Sequence, residues 1–162
     1  MMIKLYKRQP DGSLCYHEAW INGKTITEHW GLAGTKGDTR EHEVQSRNHK
    51  TELGRILASA RGNGFEEIDT EQKRRLIVEF AVDGMGTPDD LDKRARLETK
   101  LNNALGWTGL GDCDGGSIGS ETMEVCCFVV DFAIAKSVVE AALANTEFSD
   151  FTRIYDEDGE TG

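Results

Sequence analysis

Two hydrophobic periodicities alternate along the second half of the chain, and this alternation most constrains the possible folds. Apolar residues recur at every second position where a half-buried strand would lie, and at three- or four-residue spacing where a helix would pack on a sheet. The predicted elements are a strand at 74–82, a helix at 87–105, an irregular strand at 107–114, a strand at 122–130, a helix at 132–145 and a strand at 151–155. The order is therefore strand, helix, strand, strand, helix, strand.

This order predicts a ferredoxin-like domain, with two helices over a four-stranded antiparallel sheet. The helix starts support it, because Thr87 and Asp131 are residue types whose side chains accept hydrogen bonds from free amides at a helix N-terminus. The segment 115–120, Gly-Gly-Ser-Ile-Gly-Ser, is expected to form the turn between the two middle strands. Because this fold hosts many unrelated activities, it implies no function by itself.

The first seventy residues predict a separate small sheet with one helix. Asn22-Gly23 is the preferred dipeptide of a tight hairpin, since both positions accept a positive φ. Strands are expected at 3–8, 14–21, 24–32 and 39–44, and a helix at 46–61. The whole chain is thus predicted to be α+β, with domains at 1–69 and 74–157 and a disordered acidic tail at 158–162.

The charge of the chain is concentrated in the second predicted domain. The 162 residues carry a net charge of −10, yet residues 1–70 hold ten basic and ten acidic side chains. Residues 71–162 hold nine basic and nineteen acidic side chains. This balance excludes broad electrostatic binding of nucleic acid, which needs positive charge, and it favours a basic protein as partner of the acidic half.

The sequence predicts a cytoplasmic protein without a membrane segment. The first residues, Met-Met-Ile-Lys-Leu-Tyr, lack the long apolar stretch of a secretory signal. No run of apolar residues approaches the length of a transmembrane helix.

The segment His-Trp-Gly-Leu-Ala-Gly-Thr-Lys-Gly at 29–37 resembles the core motif of the WGR domain, which is named for Trp-Gly-Arg before a glycine-rich basic turn. The surrounding order also resembles that family, with an N-terminal strand, a hairpin, the motif, a helix and then Gly-Asn-Gly-Phe-Glu-Glu at 62–67. The resemblance covers residues 1–69. WGR-like modules also occur in bacterial proteins that lack a polymerase domain.

In poly-ADP-ribose polymerases the WGR module contacts DNA near a strand break, so the resemblance implies a nucleic-acid contact here. By position it assigns that contact to Trp30 and Lys36, with Arg40 as an addition. An indole can stack on a base or sugar, and the cations can neutralise phosphate. This chain has Leu32 at the position of the family's arginine. The other interpretation of Trp30 is that of a core aromatic in a small sheet.

No pattern for catalysis, metal binding or a cofactor is found. The acids at 112, 114, 121 and 124 crowd one hairpin but do not follow the order of a calcium-binding loop, and the four histidines lack a common zinc spacing. No nucleophile stands in a recognisable catalytic context, so we expect a protein that is not an enzyme and has neither metal nor cofactor. Cysteines at 15, 113, 126 and 127 are expected to be reduced and buried, with a Cys113–Cys126 bridge as the alternative.

Two functional hypotheses follow. The first is a non-catalytic binding protein whose WGR-like module contacts nucleic acid, at DNA ends or nicks, through Trp30, Lys36 and Arg40. The second is an acidic protein-interaction or immunity-type inhibitor module that binds a basic partner protein.

Overall fold

A computed structural model describes residues 1–159, and the chain divides into two compact units, Met1–Asp69 and Thr70–Gly162. Both units are α+β, and each has one four-stranded antiparallel sheet. Of the predicted tail at 158–162, the last three residues lie outside the described ones. Asp158 belongs to a turn and accepts hydrogen bonds from the Arg75 guanidinium at 2.8 and 3.1 Å.

The first unit is a sheet of four consecutive strands covered by one helix. The strands follow chain order, β1-β2-β3-β4, and the helix packs on one face. The elements are β1 (Met2–Arg8), β2 (Leu14–Asn22), β3 (Thr25–Leu32), β4 (Asp38–Glu43) and α1 (His49–Gly62). Asn48 caps α1 by accepting a hydrogen bond from the Thr51 amide at 3.1 Å.

The core of the first unit lies between α1 and the helix-facing side of the sheet. Strand alternation brings Leu5, Ala19 and Ile26 to this side, where they meet apolar residues of the helix. These helix residues, Leu53, Leu57 and Ala60, recur at helical spacing. The same alternation places Glu28 and Trp30 on the helix-facing side, further along β3 than Ile26.

The second unit has two helices and a sheet in the order β6-β7-β5-β8. A short 3₁₀ helix, Thr70–Gln72, precedes it. The elements are β5 (Arg74–Ala81), α2 (Pro88–Gly106), β6 (Gly111–Gly119), β7 (Thr122–Val129), α3 (Phe132–Leu143) and β8 (Arg153–Asp156). The two predicted caps are confirmed, because the Thr87 hydroxyl accepts from the Asp90 amide at 3.2 Å and Asp131 accepts from the Ile134 amide at 3.0 Å.

The glycine-rich segment differs from its prediction. It is a strand, Gly111–Gly119, and the turn lies at Ser120 and Glu121, which both have positive φ, 53° and 70°. A bulge between Cys113 and Gly116 absorbs the glycine pair that was expected to form the turn. The hairpin therefore extends to Gly119 and turns on two residues that carry side chains.

The cysteine expectation is also corrected. Cys113 is joined to Cys127, not to Cys126, and Cys15 and Cys126 are free. The register of β6 and β7 pairs Cys113 with Cys127 directly. Neighbouring residues of a strand point to opposite faces, so Cys126 faces away from Cys113.

Within the described part of the chain, no helix is long and apolar enough to cross a membrane.

Candidate nucleic-acid interface

Trp30 is half-buried at the centre of the candidate interface, near the end of β3. Its indole stacks on the imidazole of His17, with ring centroids 5.7 Å apart and planes inclined by 26°. The β2–β3 register explains this contact, because it places His17 directly opposite Trp30. Trp30 is thus neither a free surface side chain nor a member of the apolar core.

Arg40 approaches the same indole from the other neighbouring strand. Its guanidinium carbon lies over the ring at 5.6 Å from the centroid, within the range of a cation–π contact. Arg40 pairs with Glu28 in the register, so it is a diagonal neighbour of Trp30 across β3 and β4. Since β2 and β4 flank β3 on opposite sides, His17 and Arg40 bracket the indole.

A carboxylate bridge supports this arrangement next to Trp30. The two oxygens of Glu28 contact Nε2 of His17 at 2.6 Å and Nε2 of His42 at 2.8 Å. Burial raises the pKa of Glu28, but the hydrogen bonds from the two imidazoles outweigh it and hold the pKa below its ordinary value. Glu28 is therefore an anion that accepts from both neighbours, and it fixes the imidazole on which Trp30 stacks.

Sequence reasoning missed His17, Glu28 and His42. Strand alternation alone puts Glu28 on the face of Trp30. Only the pairing register of three strands brings the two histidines to it.

Lys36 belongs to the loop between β3 and β4. Its side chain is exposed, as is that of Arg40. Among the ion pairs of residues 1–159, none involves Lys36 or Arg40. Leu32, the last residue of β3, is 46% exposed.

The electrostatics around the interface are mixed. Asp38 is exposed and lies opposite Trp30 in the register of β3 and β4. The neighbourhood thus has two exposed cations without carboxylate partners among residues 1–159 and one acid, and it is not an extended basic groove. Residues 1–159 contain no group of three or more His, Cys, Asp or Glu side chains placed to hold a metal ion.

The second unit carries most of the acidic side chains of the protein. Most of its basic side chains lie in ion pairs with carboxylates: Arg74, Arg75, Lys93, Arg94, Arg96 and Arg153. Asp83, Asp89 and Glu121 are exposed and belong to none of the ion pairs of the described residues. Met85, in the same loop as Asp83, is 73% exposed.

Comparison with protein-family models, curated proteins and solved structures found no match for this chain.

Proposed function

We propose that the protein is a non-catalytic binding protein whose first unit contacts nucleic acid, at the ends or nicks of duplex DNA. The observation that carries the proposal is the Arg40 guanidinium over the half-exposed Trp30 indole, with no carboxylate paired to that cation among residues 1–159. A guanidinium held against a ring is positioned for a phosphate, and the exposed part of the indole can contact a sugar or base. Lys36 adds a second exposed cation.

The architecture supports a WGR-like fold for the first unit and a ferredoxin-like fold for the second. A four-stranded antiparallel sheet with one helix on one face is what a WGR-like first unit requires. The strand order β6-β7-β5-β8 with two intervening helices is the arrangement expected of a ferredoxin-like second unit. We propose both assignments on these grounds.

The experiment is a titration of a fluorescently labelled duplex carrying a central nick, with the ligated duplex as reference. Two phosphate contacts predict a salt slope of about −1.8, so affinity should fall roughly tenfold from about 50 to 200 mM salt. Trp30→Ala removes the ring that positions the Arg40 guanidinium, together with the contact made by the exposed part of the indole, so it should weaken binding at least as much as Arg40→Ala does. Absence of binding to the nicked duplex at low salt would refute the proposal.

Two matched controls separate site-specific effects from the loss of charge. Arg40→Ala is compared with Arg47→Ala, and Lys36→Ala with Lys24→Ala, since all four side chains are exposed cations of the first unit. Only the Arg40 and Lys36 variants should bind more weakly and show a flatter salt slope, each by about 0.9. Equal losses in all four variants would indicate a non-specific attraction and contradict the assigned site.

We propose as a second candidate that the acidic unit binds a basic protein, as an immunity-type inhibitor would. The observation in its favour is the exposed Met85 beside the unpaired acids Asp83 and Glu121. Two backbone hydrogen bonds hold this loop to the hairpin turn, from the Val82 amide to the Glu121 carbonyl at 3.0 Å and from the Glu121 amide to the Gly84 carbonyl at 2.7 Å. An apolar anchor within an acidic rim suits a partner with the opposite charge.

The test of this candidate is capture of a partner from the native host by the whole chain, followed by mass spectrometry. A basic protein retained by the wild type and lost with Asp83→Asn/Glu121→Gln would support it. Retention of the same protein by that double variant would contradict it.

A further inference from the structure

Three side chains form a buried polar network on the first sheet, on the face opposite to that of Trp30. His29 is 0% exposed, Tyr16 is 1% exposed and Glu18 is 2% exposed. Glu18 and His29 are directly opposite each other in the register, and Tyr16 lies two residues before Glu18 on β2. Burying such groups is costly unless their hydrogen bonds are satisfied, so their partners are informative.

The imidazole of His29 joins a carboxylate to a backbone carbonyl. Its Nδ1 lies 2.7 Å from Oε1 of Glu18, and its Nε2 lies 2.5 Å from the carbonyl oxygen of Lys36. A carbonyl oxygen only accepts, so Nε2 must carry a hydrogen and donate it.

Tyr16 binds the preceding residue of the same loop. Its hydroxyl donates to the Thr35 carbonyl at 2.8 Å, and its oxygen lies 3.1 Å from Nε2 of His29. Burial, followed by the charges of Glu18 and Asp38, raises the pKa of Tyr16 to about 12, so the hydroxyl keeps the proton that it donates. Two consecutive carbonyls of the loop, at 35 and 36, are therefore held by buried donors.

The glycines of the loop make this close approach possible. Gly37 has φ +61°, and a Cβ there would overlap the Trp30 carbonyl oxygen and lie 2.5 Å from the Tyr16 hydroxyl oxygen. A Cβ on Gly31 would lie 2.8 Å from the Cα of Gly37. The loop is packed against the sheet rather than extended from it, yet the side chain of Lys36 is exposed.

We infer that Tyr16, Glu18 and His29 are positioning residues that hold the Lys36 backbone so that its ammonium group is presented to a phosphate of the bound nucleic acid. The inference rests on the proposed function, and it deepens the assignment of Lys36. A loop fixed before binding does not lose backbone freedom when the ligand arrives, and this raises the affinity gained from a single ion contact. Lys36 is thus coupled to residues on the opposite face of the sheet from Trp30.

A double-mutant cycle on the whole chain tests the inference, with the nicked duplex as the probe. Tyr16→Phe removes one buried donor and keeps the ring. We expect it to weaken binding about threefold and to flatten the salt slope, in the same direction as Lys36→Ala. In the Lys36→Ala background, Tyr16→Phe should change affinity by less than about 1.5-fold, because the contact on which it acts is already absent.

Two variants of Glu18 test the same network in case Tyr16→Phe does not fold. Glu18→Gln keeps the network, since its amide can donate to Nδ1 and leave the hydrogen on Nε2, and it should bind as the wild type does. Glu18→Met removes the partner of Nδ1 and should lower affinity and salt slope as Tyr16→Phe does. Circular dichroism at the temperature of the titration identifies the variants that are folded.

The outcomes separate the two claims. A wild-type chain that does not bind the nicked duplex overturns the proposed function and the positioning role with it. A wild type that binds, with Tyr16→Phe and Lys36→Ala acting additively or Tyr16→Phe having no effect, overturns the positioning role alone. Coupling between the two substitutions, with equal binding of Glu18→Gln and wild type, supports it.

Discussion

Replacing Gly37 by alanine should destabilise the first unit far more than replacing Gly23, although the two glycines have nearly the same backbone conformation. Their φ angles are +61° and +64°. A Cβ on Gly23 meets no atom within 4 Å, whereas a Cβ on Gly37 meets the Trp30 carbonyl and the Tyr16 hydroxyl. The pair therefore separates the cost of a left-handed backbone from the cost of close packing.

The expected magnitudes follow from these contacts. Gly23→Ala has only the left-handed conformation to oppose it, which costs about 1 kcal/mol. Gly37→Ala adds the displacement of a packed loop, about 1–3 kcal/mol, and the hydrogen bond from Tyr16 to the Thr35 carbonyl, about 1 kcal/mol. With a urea dependence of about 1 kcal/mol per molar, the unfolding midpoint should fall by about 1 M for Gly23→Ala and by about 3–5 M for Gly37→Ala.

The assay is urea unfolding followed by tryptophan fluorescence in a Trp107→Phe background. The chain has three tryptophans, and the two that remain, Trp20 and Trp30, both belong to the first unit. The signal then reports the first unit without a contribution from the second. Equal midpoints for the two alanine variants would refute the reasoning, because they would show that the loop does not pack against Tyr16 and the Trp30 backbone.

Four further predictions address the interface, a turn, pH and the cysteines. Leu32→Arg should bind the nicked duplex more tightly and steepen the salt slope by about 0.9 in the same titration, because an exposed position gains a cation that can contact a DNA phosphate. An unchanged slope would contradict the placement of this loop at the DNA. Glu121→Gly should raise the free energy of unfolding of the second unit by about 1 kcal/mol, since φ is +70° there, as measured by urea unfolding followed by the fluorescence of Trp107 in a Trp20→Phe/Trp30→Phe background. The pKa of Glu28 lies below its ordinary value, so the stability that ionised Glu28 gives the fold is complete above pH ~4.5 and is lost as the pH falls through the folded-state pKa. The free energy of unfolding of Glu28→Gln should therefore fall less than that of the wild type between about pH 6 and pH 3, as measured by urea unfolding at each pH. Thiol titration of the denatured, unreduced chain should find the two free cysteines, with Cys113 and Cys127 appearing only after reduction.

Much of the secondary structure could be predicted because strand alternation, helix caps and tight turns each depend on a few neighbouring residues. Alternation marks the buried face of β5, and the capping residues Thr87 and Asp131 fix where α2 and α3 begin. The Asn-Gly dipeptide similarly predicts the hairpin between β2 and β3. The position of the turn after β6 could not be predicted, since a bulge between Cys113 and Gly116 absorbs the glycine pair there and moves the turn to Ser120 and Glu121.

The candidate interface also combines features that the sequence determines with features that only the tertiary structure decides. Sequence alone determined that Trp30, Lys36 and Arg40 lie close together along the chain, that the first unit has no net charge and that the negative charge belongs to the second. The tertiary structure decided that Arg40 contacts the indole while Lys36 is held from the opposite face, and that Cys113 pairs with Cys127. The physical reason is the register between strands, since a shift of one residue would turn strand side chains such as Arg40, His29 and Cys113 to the other face, away from their partners.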